Sequence, residues 1–588
     1  GVNIGKPVIR GLSYNRVLVY TQGIRLENQQ WGDEHGLGLM EMGIDKVEII
    51  KGPSSMLYGS DAMGGVLHLI EERPAAPEKI QGDYNLKLFS NTQGYNTNLG
   101  FKGASNKLRY GIRAGLQSHA DYKMGNGNRV TNSRFSDAGV KANLGLNYNW
   151  MITNFNYQFI GSEVGIPEEV ALQSTSRKEM SPYQALDSHL FSNQTSFFIN
   201  NSRLKANLGY SRNQRKEFEE DAPPENGPAL DMQLSTFSYD IKWYLPSNEK
   251  STFILGIQGL SQQNSNSGEE VLIPDAEVND FGGLVLGKYS LSDFSIQTGL
   301  RFDRRHIQTN QIGELGEQGF VPSIDRNFTS LNGALGATYQ HKEEWLLRAN
   351  FATGFRAPNL AELASNGPHE GTNRYEICNP DLQNERNYEV DLGAEWQTKH
   401  ISFVLTGFYN YISDYIFLTP TNSFIEGEQV YNFIQDDANL KGFESALHIH
   451  PHPLDWLHFE SGFSLVNAQR TDGEELPLIP AYKLNNVIRA EFNHWENVSN
   501  AFFQVSIKTA FRQSRISEFE TITPGYTLVN IGIGSQLKIG NQIADWNLTI
   551  NNLLDHNYYD HLSRLKVNGI NNIGRNTSLG LKVPFGIK

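Results

Sequence analysis

Residues 44–70 read IDKVEIIKGPSSMLYGSDAMGGVLHLI, and two apolar runs separated by a glycine-rich connection decide the reading of the whole chain. Ile44, Val47, Ile49 and Ile50 are β-branched strand formers, and Gly52-Pro53 ends their run. Ser54 to Gly59 makes a tight connection in which Tyr58 is placed to cover a core edge. Gly64-Gly65 lets the backbone pass close to a neighbour before Val66, Leu67, Leu69 and Ile70 resume a strand. Upstream, residues 8–23, VIRGLSYNRVLVYTQG, spell a further strand and turn.

Together these blocks resemble the plug domain of TonB-dependent outer-membrane receptors. Residues 47–66 follow its V-E-I-I-x-G-P-S-S-x-L-Y-G-S-x-A-x-G-G-V signature, carried here by Gly52, Pro53, Ser54, Tyr58, Gly59, Gly64 and Gly65. Residues 9–23 are similar to I-R-G-x-x-x-N-R-V-L-V-x-x-D-G, with Gln22 where the family commonly has Asp. The resemblance implies an all-β transmembrane fold: a 22-stranded antiparallel barrel with an α+β plug in its lumen. Domain bounds of 1–76 for the plug and 77–588 for the barrel follow, joined by the charged, Pro-punctuated linker Glu71 to Pro77. The chain begins inside a motif, so a signal peptide, the first part of the plug and the TonB box are expected to lie outside this numbering.

Composition agrees with a barrel. The chain is 39% hydrophobic, with mean hydropathy −0.45, and contains no run near the ~18 to 20 apolar residues of a membrane helix. A membrane position therefore requires a closed barrel, whose strands present apolar side chains only at alternate positions. Leu108, Tyr110, Ile112, Ala114 and Leu116 alternate with Arg109, Gly111, Arg113, Gly115 and Gln117. Val140, Ala142, Leu144, Leu146 and Tyr148 do the same. In a soluble sandwich the apolar face meets a second sheet, whereas in a membrane barrel it meets lipid; periodicity does not separate the two. Aromatic pairs such as Tyr148 and Trp150, or Tyr558 and Tyr559, favour girdles at the membrane interfaces. Phe585 fits the aromatic end of a barrel-assembly signal, although Gly586-Ile587-Lys588 run past it.

Net charge of −14 argues against a nucleic-acid partner, and one cysteine, Cys378, excludes internal disulfides and thiolate clusters. No nucleophile–base pair, phosphate loop or HExxH motif points to catalysis, so the chain is read as not an enzyme. Long polar segments, 118–137, 161–187, 213–231, 261–280, 309–327 and 358–386, fit outer loops. The Pro-rich stretch 450–456 fits an inner turn.

For cargo binding, an apex loop and an outer loop stand out. Asp33, Glu34 and His35 bring carboxylates beside an imidazole, borderline ligands suited to Zn²⁺ or another first-row ion, against the plainer reading of a solvated acidic loop. Phe355, Arg356, Ala357 and Pro358, followed by Asn379, Pro380, Asp381 and Leu382, resemble the FRAP…NPNL box of haem and zinc receptors, with Asp381 in place of the commoner Asn. His369, beside Glu370, stands where those receptors place a functional histidine. Haem needs an axial ligand, His369 or His35, and an apolar slot. His448, His450 and His452 are read mainly as lumen-facing polar residues near the inner turn, and His556, His561, His119 with Asp121, and Glu168-Glu169 as lesser loop candidates.

The resemblance implies energised import with no catalytic cofactor: cargo is zinc first, then haem, then a ferric siderophore. Partners are a TonB-type inner-membrane complex, outer-membrane lipids and, as an open question, a capping surface lipoprotein. A passive channel and a docking or adhesion barrel are the other classes.

Overall fold

The computed structural model describes residues 5–28, 35–51, 56–219, 227–369, 374–495, 498–540 and 542–587. Gly52, Pro53 and Ser54 of the signature, and the candidates Asp33, Glu34 and Glu370, lie outside them. The N-terminal region forms a four-stranded sheet from β1 (Val17–Thr21), β2 (Ile24–Arg25), β3 (Ile44–Ile50) and β4 (Gly65–Glu71), in the order β2-β1-β4-β3. β1 and β4 run parallel, with Val17 opposite Gly65, while β3 is antiparallel to β4. Gln22 and Gly23, at φ 50° and 73°, make the two-residue connection from β1 to β2. Two left-handed residues are the requirement of a type I′ turn, which accounts for a family preference for Asp before this glycine. Tyr58 packs edge-on against Tyr20 with ring centroids 4.9 Å apart, over Leu18, Ala62 and Val66.

The rest is a closed barrel of twenty-two antiparallel strands: β5 (Lys79–Phe89) in sequence order to β17 (Trp345–Arg356), then β20 (Glu385–Gln397) to β28 (Asn576–Ile587). β28 pairs with β5 and closes the cylinder; Phe585, opposite Gly82, packs on Phe101 at 5.3 Å. β18 (Asn366–His369) and β19 (Arg374–Ile377) form a hairpin in the outer loop between β17 and β20, and β19 runs parallel to β22 (Glu428–Ile449). The partner of β22, β21 (Ile401–Ile425), has 25 residues where a membrane crossing needs about 9 to 11, so this hairpin projects past the bilayer.

Side-chain direction resolves what periodicity left open. Leu108, Tyr110, Ile112 and Leu116 are exposed, whereas Arg113 on the other face is buried and bonded to Asp83 and Glu72. Apolar outside and polar inside is the reverse of a soluble sheet and is the arrangement of a lipid-facing wall. Trp150, Trp243, Trp345 and Trp456 are exposed at the end with the short turns, an aromatic girdle at the inner rim. Tyr558 and Tyr559 do not belong to a girdle: both lie in the last outer loop, where the Tyr558 ring packs tilted against Tyr526 with centroids 4.4 Å apart.

The N-terminal sheet sits inside the barrel, for its side chains meet the wall on every side. Ile24 reaches Gly209, Met40 reaches Gly139, Met56 reaches Gly299, and Lys51 bonds Glu444 at 2.7 Å. A Cβ on Gly139 or Gly299 would come within 2.8 Å of the methionine sulfur, so a larger residue at either wall position would make that side chain shift. Two outer segments expected to be loops are strand at both ends: β11 (Ser202–Phe218) and β12 (Leu230–Tyr244) enter 213–231, and β13 (Ser251–Asn266) and β14 (Ala276–Leu291) enter 261–280. Above the bilayer both faces of a strand meet water, so the alternation that marks a strand in sequence is lost while its ladder continues.

Candidate functional site

Between the plug and the outer loops lies a cavity of about 1130 Å³. Its floor is the plug segment from Lys6 to Arg16 with Ile49 and Lys51. The walls come from β21, β22 and β23 (Leu457–Arg470), and the rim from residues 477–483, 519–521 and 560–568. Lys6, Arg10, Arg16, Lys51, Arg356, Arg374, Lys483, Arg564 and Lys566 outnumber Glu362, Glu376, Glu444, Glu520 and Asp560 in this lining. Glu385, Glu389 and Asp391 lie behind this lining and pair Arg10, Arg16 and Arg356, so the positive excess is carried by the remaining lining cations. Tyr14, Tyr415, Phe417, Tyr431, Phe433 and Phe519 add aromatic surface.

Three buried ionic networks fasten the plug around this space. Arg10 bonds both Glu389 and Asp391 on β20. Glu385 accepts from Arg16 of the plug at 2.9 Å and from Arg356 of the wall at 2.9 and 3.0 Å, and Arg356 also binds Glu362 at 2.7 Å. On the opposite side Asp61 binds Arg25 at 2.9 Å and Arg305 at 2.8 Å, and Arg305 continues to Asp280. Charges this buried persist only with such complete pairing.

The outer-loop box has a clear structural part. Phe355 and Ala357 are buried beneath the cavity, and only Arg356 of that motif lines it. After Pro358, Asn359 caps a short helix, α1 (Leu360–Ala364), by accepting from Glu362 N at 2.9 Å, while the Glu362 carboxylate accepts from Asn359 N at 2.8 Å. This reciprocal Asn-x-x-Glu box is a helix-start signal, and the reading of 358–386 as an outer loop passed over it. Asn379, Pro380, Asp381 and Leu382 form the return turn, with Leu382 buried and its carbonyl held by Arg326 at 3.1 Å.

The histidines divide. His35 is 1% exposed, with Nε2 3.4 Å from Glu217 at the outer end of β11, and is not in the cavity lining. His369 lies in β18, paired with Arg374 on the hairpin that runs along β22. His561 lines the cavity but is buried, its Nδ1 2.8 Å from Thr523 Oγ1 and its Nε2 3.3 Å from Glu520. His119 stacks on Phe135 at 4.5 Å beside Thr92, and Asp121 is fully buried on Arg134. Of the H-x-H-x-H run only His448 is on a strand, since β22 ends at Ile449 and His450 and His452 enter the inner turn.

The barrel with an inserted plug matches two family profiles: "TonB dependent receptor-like, beta-barrel" over residues 76–553 and "TonB-dependent Receptor Plug Domain" over 1–66. The chain belongs to the TonB-dependent receptors. Members of this family are outer-membrane transport receptors rather than enzymes. It is similar to a hemin receptor of Yersinia enterocolitica, at 24% identity over 67% of this chain and 58% of that protein. The vitamin B12 transporter BtuB of Vibrio vulnificus is 24% identical over 74% of this chain and 64% of its own length. The chain thus spans about 60% of these curated relatives. In fold it is similar to the solved copper transporter OprC, with TM-score 0.83 at 15% identity over 99% of this chain and 92% of that one. For this receptor, the plug–wall networks were beyond sequence reading: Arg16 and Glu385 are 369 positions apart and Asp61 and Arg305 are 244 apart, and no local pattern marks them.

Proposed function

We propose that this TonB-dependent receptor imports an anionic organic metal chelate, of ferric-siderophore class, across the outer membrane. The observation that carries the reading is the cavity. At about 1130 Å³ it suits an organic molecule rather than a bare ion, and its basic and aromatic lining complements a negatively charged, ring-bearing chelate. An already chelated metal needs no protein ligand, and His561, among the described residues the one histidine in the lining, is held by Thr523 and Glu520. Haem is the alternative chelate, supported by the hemin receptor among the relatives. Cargo held between plug and loops sits on Arg10, Arg16 and Arg356, the groups that fasten the plug, so binding is coupled to the latch. A TonB-type inner-membrane complex then supplies the pull that opens it, because the outer membrane has no ATP of its own.

A second reading, uptake of bare Zn²⁺ at the apex, is favoured by the contact of His35 with Glu217. Asp33, Glu34, His369 and Glu370 are its further proposed ligands. Titrating the purified receptor with an iron(III) catecholate, haemin and Zn²⁺, beside a Lys483→Glu, Tyr431→Ala variant, decides between them. Chelate binding weakened by about tenfold or more in the variant supports the cavity reading. Zinc binding alone, lost in His35→Gln, overturns it.

A further inference from the structure

The inner end of the barrel carries a second constellation, far from the outer cavity. His448, near the end of β22, and His458, near the start of β23, face each other across the 450–456 turn with Nε2 and Nδ1 3.1 Å apart. His450 completes a triangle, one ring nitrogen from each residue lying within 4.8 Å of the others. His448 shares its strand face with Glu444, which binds the plug's Lys51, so the triangle opens into the lumen and not toward lipid. His400, from the neighbouring inner turn, packs edge-on against His450 with centroids 5.3 Å apart.

We propose that His448, His450 and His458 form a transition-metal site of the Zn²⁺ or Cu²⁺ class at the periplasmic mouth. Around one such ion, tetrahedral nitrogens at about 2.0 Å from the metal lie roughly 3.3 Å apart, close to the spacing His448 and His458 already have. A hydrogen bond between two ring nitrogens leaves one of them as a bare lone pair, the form a metal requires. The Nδ1 of His450 is buried and makes no hydrogen bond among the described residues, so this ring keeps a nitrogen without a hydrogen-bond partner beside the other two. Glu491 lies 3.9 Å from Nε2 of His458, the ring edge opposite the nitrogen that faces His448, on the side where a carboxylate partners a ligating imidazole. Three imidazoles with no thiolate suit zinc, copper or nickel, and leave a fourth position for water or a passing ligand. The inference does not depend on which cargo the outer cavity takes.

The test is calorimetric titration of the detergent-purified chain, carrying no histidine tag, with Zn²⁺ and with Cu²⁺. Beside it stand a His448→Asn, His458→Asn double variant, a His450→Asn variant and His35→Gln, with barrel folding read from heat-modifiable migration. His450 lies outside the strand ladder, so its variant carries the test should the double variant not fold. One ion bound by the wild type, weakened about tenfold or more in the inner-mouth variants and unchanged in His35→Gln, is the expected result. Resonance of bound Cu²⁺ should show coupling to several imidazole nitrogens. No ion bound by the wild type, equal binding in a folded inner-mouth variant, or loss only in His35→Gln overturns the proposal.

Discussion

Asp61 of the plug takes a hydrogen bond at 2.8 Å from Arg305 of the barrel wall, a contact between residues 244 positions apart. The same carboxylate binds Arg25, and the Asp61 backbone N–H donates to Phe355 O at 3.0 Å. Asp61→Asn leaves two guanidinium groups facing a neutral amide in a buried site. Removing one member of a buried ionic group costs about 3 to 5 kcal/mol. Faster hydrogen exchange in β1 and β4 is the expected outcome, measured on the purified receptor; unchanged protection would show that the latch does not hold the plug.

Glu385 is the hinge of a separate network, and Glu385→Gln should loosen the plug independently. It strips the charge shared by Arg16 and Arg356. Because no residue is common to the two networks, the cost of Asp61→Asn with Glu385→Gln should be the sum of the single costs to within about 0.5 kcal/mol. Denaturant unfolding of the four proteins gives the comparison, and a large coupling would mean that the plug moves as one rigid unit.

Gly65 has φ 126°, and a Cβ there would meet Ile50 O at 2.6 Å. Gly65→Ala should strain the junction of β3 and β4 by about 1 to 3 kcal/mol. Limited proteolysis should then cut the plug faster while the barrel remains intact.

Leu300 is 56% exposed, midway along β15 (Phe294–Thr309), and faces lipid. Leu300→Arg should destabilise the barrel in vesicles by about 2 to 4 kcal/mol. Urea unfolding in lipid measures the loss. On a water-facing surface the same change would be almost neutral.

Acidification should free the rim of the cavity. Burial works to raise the Glu520 carboxyl, but the His561 imidazole 3.3 Å away and hydrogen bonds from Ser517 N and Leu478 N outweigh it and hold the pKa below its ordinary value of 4.5. A depressed folded value means that the contribution is complete above pH 4.5 and is lost as pH falls through the folded pKa. Proteolysis of residues 511–525 should therefore rise only below that range, and Glu520→Gln should show the loosened behaviour already at neutral pH.

The fold was legible because its signals are local. The 44–70 block carries its glycines at fixed offsets, and alternation such as Leu108 to Gln117 marks a strand within ten residues. Loop bounds were less so, since strands such as β11 and β13 leave the bilayer without leaving their ladders. Of the cavity lining the motif names Arg356, while the 379–382 turn stands outside that lining, and the motif says nothing of the plug arginine that shares Glu385. The histidine triangle was half visible: His448 and His450 lie within a patterned run, whereas His458 joins them only by strand pairing.

By itself the sequence determined alternating strands and the glycine-spaced 44–70 block, whose resemblance implied a plugged barrel, because periodicity and turn chemistry act between near neighbours. Only the tertiary structure decided which face meets lipid, where the cavity lies and which charges fasten the plug. A closed barrel brings residues hundreds of positions apart to within 3 Å, and that proximity is set by strand order and register, which no short stretch encodes.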